Sequence, residues 1–188
     1  MPKKRSRRPP ARKRKAPKRR KPTQTRSPSA TATVRRVLAL RELDQLRSRQ
    51  VSLFGTPWLT VELVPRTCWF SNVRDHVQPD VWDKLRGPVF EAAGHECQVC
   101  GGRGNRWPVE CHEIWEYNDS SRVQRLLGLV ALCPNCHQAK HMGLARIRGK
   151  EAEALKHLRR VNEWTATRAK AYVRMAFDVW KLRSVFAW

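Results

Sequence analysis

The chain of 188 residues is long enough for one domain with a tail and too short for two full domains. Its 39 Lys and Arg against 16 Asp and Glu give a formal charge of +23, which predicts a polyanionic partner and argues against an acidic substrate. The apolar runs are far shorter than a membrane span, and no apolar signal core is present at the N-terminus. We therefore expect no membrane association and no secretion. The expected location is the cytoplasm, with nucleoid association, in a bacterium, or the nucleus in a eukaryote.

The N-terminal stretch, residues 1–33, is rich in Lys, Arg and Pro. Residues 1–30 contain 14 basic residues and no acidic one, so the other 25 basic and 16 acidic residues leave +9 for the rest of the chain. Because it contains almost nothing apolar to bury, this tail is predicted to be disordered. Its expected role is to bind nucleic-acid phosphates without reading sequence, and in a eukaryote to serve as a nuclear import signal. The alternative is a solubilising tail.

Residues 34–188 are predicted to form a single domain. Apolar residues at helical spacing predict an amphipathic helix from Val34 to about Gln50. Residues 58–64 are aromatic and β-branched, which indicates a short strand that ends at Pro65.

A second helical region begins at Pro79, where Pro and Asp occupy the first turn. Gly87-Pro88 is expected to interrupt this helix, and Gly94 to close the short helix that follows. Residues 150–188 carry apolar positions that predict two further helices packed by an ordinary core.

Two Cys-x-x-Cys motifs form the strongest signal, Cys97 with Cys100 and Cys133 with Cys136. Two such turns can complete a tetrahedral structural zinc site with four thiolates. A redox motif or a pair of disulfides is the alternative. Redox proteins rarely carry two such motifs, and the absence of a secretory signal disfavours a disulfide framework. Cys68, which belongs to neither motif, is expected to be a buried core thiol.

A second group of candidate ligands consists of histidines near the cysteine motifs. His137 and His141, four residues apart, would share one face of a helix, and both imidazoles could bind a single metal ion. His112 lies between the two motifs and offers a third ligand, which would leave open positions for water or phosphate. The alternative for each histidine is an ordinary surface or strand residue.

A Cys-x-x-Cys motif is followed by a histidine and then by the succession Leu132-Cys133-x-x-Cys136-His137-x-x-Lys140-His141. On these motifs the chain resembles the zinc-braced HNH nucleases over roughly Glu96 to Gly143. A softer similarity to a bacterial subgroup of that family extends from Cys68–Arg74 to Trp115–Tyr117. The resemblance implies an α+β fold whose small core, of the treble-clef-like ββα-metal kind, is braced by a four-cysteine zinc site and flanked by helices. The core would span about 94–148 and the C-terminal helices about 150–188. The resemblance also implies that His137 and His141 hold a divalent ion.

The resemblance allows two alignments of the first strand. If Cys111-His112 occupies the family's ligand and base positions, His112 is the general base. If His112-Glu113 occupies them, His112 is the third metal ligand and Glu113 is the base or a second carboxylate contact. The second alignment is preferred, because a soft thiolate at Cys111 suits hard-metal phosphodiester chemistry poorly.

Gly128 falls where the family has its middle Asn, and glycine has no side chain to make the hydrogen bonds of that residue. Asn118 or Asp119 in the preceding loop is the candidate substitute. Six basic residues near the predicted metal sites are candidates for phosphate contacts, with a solvated basic surface as the alternative. They are Lys140, Arg146, Arg148, Lys150, Arg103 and Arg106.

These observations together predict a metal-dependent HNH endonuclease that hydrolyses phosphodiester bonds of DNA. It would use structural Zn²⁺ and a catalytic Mg²⁺, Mn²⁺ or other divalent ion. The main alternative is a non-catalytic zinc-ribbon protein that binds DNA or RNA with a degenerate HNH site. An RNA-associated or ribosome-associated protein is a third possibility, since a basic tail does not distinguish the two polymers.

Overall fold

The computed structural model of the chain describes residues 30–69 and 72–188. Nearly all of the predicted disordered tail lies outside these ranges. The described residues have an α+β architecture of helices around one antiparallel two-stranded sheet. The α-helices are α1 (Ala30–Phe54), α2 (Val73–His76), α3 (Pro79–Ala92), α4 (Pro134–Lys140), α5 (Met142–Ile147), α6 (Glu151–Val161) and α7 (Ala166–Arg183), and a short 3-10 helix spans Arg66–Cys68. The strands are β1 (Glu110–Asn118) and β2 (Val123–Leu132).

Helix α1 is longer at both ends than the predicted helix. It begins four residues before Val34, because no proline or glycine precedes that residue closely enough to stop the helix. It ends at Phe54, and the next residue, Gly55, has a positive φ of 63° that permits the left-handed turn in which its N–H donates to the carbonyl of Val51. Leu43 is fully buried, and α1 packs along α7.

The strand predicted over residues 58–64 is wrong, because no strand of the described chain pairs with this segment. Leu59 and Val61 are buried in the core, so the apolar composition reflects burial against helices. Asn162 satisfies the backbone of Leu59 on both sides, with distances of 3.1 Å to its nitrogen and 2.8 Å to its oxygen. The N–H of Glu62 donates to the carbonyl of Lys140 at 2.9 Å, which fastens the segment to the end of α4.

Helix α3 begins at Pro79 as predicted, but the interruption predicted at Gly87-Pro88 is wrong, since the helix continues through both residues. Pro88 lacks an N–H and so leaves the carbonyl of Lys84 without its helical hydrogen bond. Pro88 and Lys84 are both exposed, so water can replace that bond. The predicted end at Gly94 is confirmed by its positive φ of 58° just after the helix. The two C-terminal helices, α6 and α7, are also confirmed.

The hairpin β1–β2 lies between the two cysteine motifs. His112 pairs with Val130 and Ile114 with Gly128, and the register shifts between Ile114 and Trp115. Behind the hairpin, one hydrophobic cluster joins the end of β2, α4, α5 and the C-terminal helices. Its fully buried members include Leu59, Leu132, Cys136, Ala139, Met142 and Leu158. Among the described helices, none is both long and apolar enough to cross a membrane.

The tip of the hairpin is tied to two helices through Asp119, whose side chain is only 4% exposed. Arg183 of α7 binds both carboxylate oxygens, at 2.7 and 2.9 Å. Arg47 of α1 binds the same carboxylate at 2.7 Å. One buried carboxylate therefore links the hairpin, α1 and α7.

Candidate metal centres and basic groove

The four cysteines of the two motifs converge, with all four sulfurs within 4.8 Å of one another. The Sγ atoms of Cys100 and Cys133 are 3.6 Å apart. Zinc–sulfur bonds of about 2.3 Å in a tetrahedron would place sulfurs about 3.8 Å apart, so the spacing suits such a site. All six cysteines are free, and the buried position of Cys68 is confirmed. The cluster could therefore hold a metal ion such as zinc.

Local backbone geometry aims each pair of thiols. The N–H of Cys97 donates to the carbonyl of Gly102, and Gly101 takes a φ of 69° that closes the first turn. In the second motif Cys133 is the N-cap of α4 and Pro134 follows at the first helical position. This arrangement places Cys133 before α4 and Cys136 inside its first turns.

The crowded thiols cannot all ionise without a cation beside them. The hydrogen bond from the thiol of Cys136 lowers the pKa of Cys97 to about 4. That same bond, together with burial and nearby negative charge, raises the pKa of Cys136, and burial raises that of Cys133 to about 11. A divalent ion removes this conflict, because each thiolate then faces positive charge.

His157 of α6 is buried beside the cysteine cluster, and no sequence motif points to it. Its Nε2 lies 3.1 Å from the Sγ of Cys136, and the guanidinium of Arg160 lies 3.0 Å from its Nδ1. A guanidinium can only donate, so Nδ1 must accept and Nε2 must carry the proton. His157 therefore donates an N–H to the sulfur of Cys136. Burial lowers the pKa of His157, which agrees with a neutral ring.

The three predicted histidines form a second cluster. His112 extends from β1, His137 from α4, and His141 follows the last residue of α4, so the two later histidines do not lie within one helix as predicted. The N–H of His141 still donates to the carbonyl of His137, which preserves their spacing. Their Nε2 atoms are 3.1 Å apart, and one nitrogen of each ring lies within 4.8 Å of the others. Burial and the neighbouring histidines lower the pKa of His141 to about 3, so its lone pair stays available to a metal ion.

Two carboxylates that sequence reasoning missed orient this cluster. Glu62 accepts from Nε2 of His112 at 2.7 Å, which leaves the other ring nitrogen available to a metal ion. Glu110, on the same face of β1, accepts from Nδ1 of His137. Such carboxylates fix ring orientation in metal sites. Burial opposes ionisation of Glu62, but the hydrogen bond from His112 and the charge of Lys140 lower its pKa to about 2.

The other residues of the two alignments lie outside the histidine cluster. Because side chains alternate along a strand, Glu113 leaves β1 on the face opposite His112. Its carboxylate accepts from the N–H of Val73 at 2.8 Å and from the indole of Trp115 at 3.0 Å. Burial and the charge of Glu113 raise the pKa of Cys111 to about 11, so this residue is a neutral thiol at pH 7.

The loop residues proposed to replace the missing Asn do not reach the histidines. Asn118 accepts from the N–H of Ser121 in the hairpin turn, and Asp119 is occupied by its two arginines. Asn118 lies six positions beyond His112 in β1, about 20 Å along an extended strand. The expectation that either residue substitutes at the site is therefore wrong.

A groove of about 1220 Å³ opens beside the histidine cluster, lined by His137, His141, α3 and the loop before β1. Arg148 and Lys150 line it, in agreement with their predicted placement near the site, and so do Arg74 and Arg86, which the sequence did not suggest. Within the described residues, the side chains of Arg74 and Arg148 have no hydrogen-bond or ion-pair partner. They are the groove's freest positive charges.

The remaining predicted phosphate contacts lie elsewhere. Lys140 is 7% exposed and binds Glu62 and Thr60, so the expectation that it meets phosphate is wrong. Arg146 pairs with Glu151 and stacks 4.0 Å above the ring of Phe177, away from the groove. Arg103 pairs with Glu96, and Arg106 lies over the ring of Trp107. Neither Arg103 nor Arg106 lines the groove.

No protein-family model, no curated protein and no solved structure matches the chain.

Proposed function

We propose that this protein is a metal-dependent endonuclease of the HNH kind that hydrolyses phosphodiester bonds of DNA. The observation that carries the proposal is the convergence of His112, His137 and His141, of which His137 and His141 line a basic groove. A hairpin followed by a helix supplies all three, which is the arrangement expected of a ββα-metal core. The cysteine cluster supports the same proposal, since Cys136 and His137 are consecutive residues of α4 and a structural metal would hold that helix in place.

Each group near the groove has a distinct role in this proposal. The three histidines hold a divalent ion, and such an ion offsets charge on a phosphate and lowers the pKa of water. Glu62 and Glu110 keep the rings of His112 and His137 aimed at the ion. Arg74 and Arg148 bind DNA phosphates, which provides affinity without sequence preference.

The contacts of His112 favour it as a metal ligand. It is buried, and its Nε2 already donates to Glu62, so it has no free nitrogen for an attacking water once the other faces the ion. Glu113, the base that the second alignment expects, leaves β1 on the face opposite His112, binds Val73 and Trp115, and does not line the groove, so its contacts argue against that role.

Nicking of supercoiled plasmid tests the proposal, with purified protein in Mg²⁺, in Mn²⁺ and without added metal. We expect metal-dependent nicking that is lost in His137→Ala and kept in the matched control His76→Ala, whose imidazole is exposed on α2 outside the cluster. Nicking that is kept in Glu113→Ala would exclude Glu113 as the base that the second alignment expects. Nicking that survives His137→Ala would refute the assigned site.

A non-catalytic nucleic-acid-binding protein is the second candidate function. Gly128, paired with Ile114 in the sheet, supports it, because no side chain replaces the family's Asn there. For such a protein, plasmid mobility would shift in a salt-sensitive way and neither DNA nor RNA would be cut under any metal condition.

A further inference from the structure

One aromatic side chain in the groove has no role in the proposed chemistry. Trp107 lies in the loop before β1 and lines the groove together with His137 and Arg148. Its side chain is 59% exposed, although an indole is among the largest apolar groups a protein can bury. An isolated exposed tryptophan needs no explanation, but one beside unpaired arginines and a candidate metal cluster is placed to contact a ligand.

The loop that carries Trp107 is held in one shape. The N–H of Gly104 donates to the carbonyl of Pro108 at 2.9 Å, which closes the loop. A Cβ at Gly104 would lie 2.2 Å from the carbonyl oxygen of Trp107 and 2.7 Å from the ring of Pro134, so only glycine fits. Pro134 is the first residue of α4, the helix that carries His137. The backbone of the loop that carries the indole therefore lies close to the start of the helix that carries His137.

The surroundings of the indole indicate the chemistry of its ligand. The guanidinium of Arg106 lies 5.5 Å from the ring centroid and does not line the groove, so the groove side of the ring remains for a ligand. Arg74 and Arg148 supply positive charge for phosphates in the same groove. A flat π-surface next to phosphate-binding arginines suits a nucleobase attached to a phosphate backbone.

We propose that Trp107 stacks on an unpaired nucleobase, so that the preferred substrate is DNA with a single-stranded segment at the groove. The inference rests on the proposed function for the position of the scissile phosphate. Bases inside a duplex are stacked on each other and present no face to a side chain, whereas an unpaired base does. Base–aromatic stacking corresponds to about 5- to 100-fold in affinity, so the preference is measurable.

The test uses the full chain carrying His137→Ala, which prevents cleavage during the measurement. Fluorescence anisotropy measures binding of one labelled 20-nucleotide strand and of the same strand in a duplex, at several salt concentrations because the basic tail binds both. Trp107→Ala and Trp107→Phe are compared with Trp58→Ala, whose side chain is 79% exposed and does not line the groove. Circular dichroism melting verifies that each variant is folded.

We expect Trp107→Ala to weaken binding of the single strand about 5- to 100-fold and binding of the duplex less than twofold. Trp107→Phe keeps most of the affinity, and Trp58→Ala matches the parent. Equal losses on both ligands, or no loss on the single strand, would overturn the stacking proposal. The plasmid assay tests the nuclease separately. If Trp107→Ala selectively loses single-strand binding but the wild-type protein cuts no nucleic acid, the stacking subsite stands and the nuclease is refuted. If the wild type cuts and Trp107→Ala shows no selective loss, the nuclease stands and the stacking subsite is refuted.

Discussion

Replacing His157 tests whether a residue outside the cysteine motifs controls the metal they hold. His157→Phe keeps a ring of similar size and removes the N–H that reaches the Sγ of Cys136 at 3.1 Å. His157→Gln restores an N–H donor at about the same reach. Both substitutions also remove Nδ1, which accepts a hydrogen bond from Arg160. Because Arg160 is exposed, its guanidinium can bind water instead at little cost.

The expected loss of zinc affinity follows from the negative charge of the Cys136 thiolate, which accepts the hydrogen bond when the metal is bound. A hydrogen bond to a charged group contributes about 1.5–3 kcal/mol when buried, and each 1.4 kcal/mol is about tenfold in an equilibrium constant. We therefore expect His157→Phe to weaken zinc binding about 10- to 100-fold. This is the usual effect of removing a residue that hydrogen-bonds to a metal ligand. His157→Gln should stay within a few-fold of wild type.

Competition with a fluorescent zinc chelator measures the affinity, and substitution with Co²⁺ adds a spectroscopic readout. Loss of the N–H raises the energy of the sulfur lone pair, so the thiolate-to-cobalt charge-transfer band should move to lower energy in His157→Phe and return in His157→Gln. A purely structural defect in α6 would weaken binding without moving the band. Wild-type affinity and band position in His157→Phe would refute the reasoning.

Three further predictions concern stability, each measured by urea unfolding. Asp119→Ala should lower the free energy of unfolding by about 3–5 kcal/mol, because it leaves Arg183 without a counter-charge. The control Asp80→Ala breaks an ion pair whose acid is 67% exposed and should cost under about 1 kcal/mol. Similar losses in the two variants would contradict the role of burial. Glu62→Gln should cost at most about 3 kcal/mol above pH 5, because the folded pKa of about 2 lies below the ordinary 4.5. This deficit should shrink as the pH falls below 4.5, and a deficit independent of pH would contradict the ion pairs. Gly104→Ala should destabilise the fold by more than about 2 kcal/mol, since the added carbon meets Trp107 and Pro134. The control Gly87→Ala has open space around the added carbon in α3 and should stabilise the fold by about 0.5–1 kcal/mol. The opposite order would show that the loop at Gly104 is not tightly packed.

The metal-capable residues could be predicted because their spacing alone limits where their ligand atoms point. Cys-x-x-Cys turns and a pair of histidines four apart determine local geometry wherever the rest of the chain lies. Glu62 and His157 could not be found in this way. They lie 50 and 21 residues from the ligands they contact, and only tertiary packing brings them there.

The wrong predictions share a physical cause, which is that local composition does not reveal what a side chain packs against. Residues 58–64 look like a strand, yet their backbone is satisfied by Asn162 and by the end of α4. Lys140 looks like a phosphate contact in a basic region, but its ammonium is enclosed by Glu62 and Thr60. Pro88 is tolerated inside α3 because it is exposed, as is Lys84, whose carbonyl loses its hydrogen bond and can bind water instead.

The fastening of residues 59–62 to α4 and α6 determines how far the protein can be shortened. Excising residues 94–148 would keep all seven metal-capable side chains and lose Glu62, His157 and the bond from Glu62 to the carbonyl of Lys140. The smallest autonomous unit therefore begins before Leu59 and extends beyond Asn162, which ties Leu59 from the end of α6. A graft of the short core onto another protein would transfer the ligands without the groups that aim them, so a usable chimera needs both flanks.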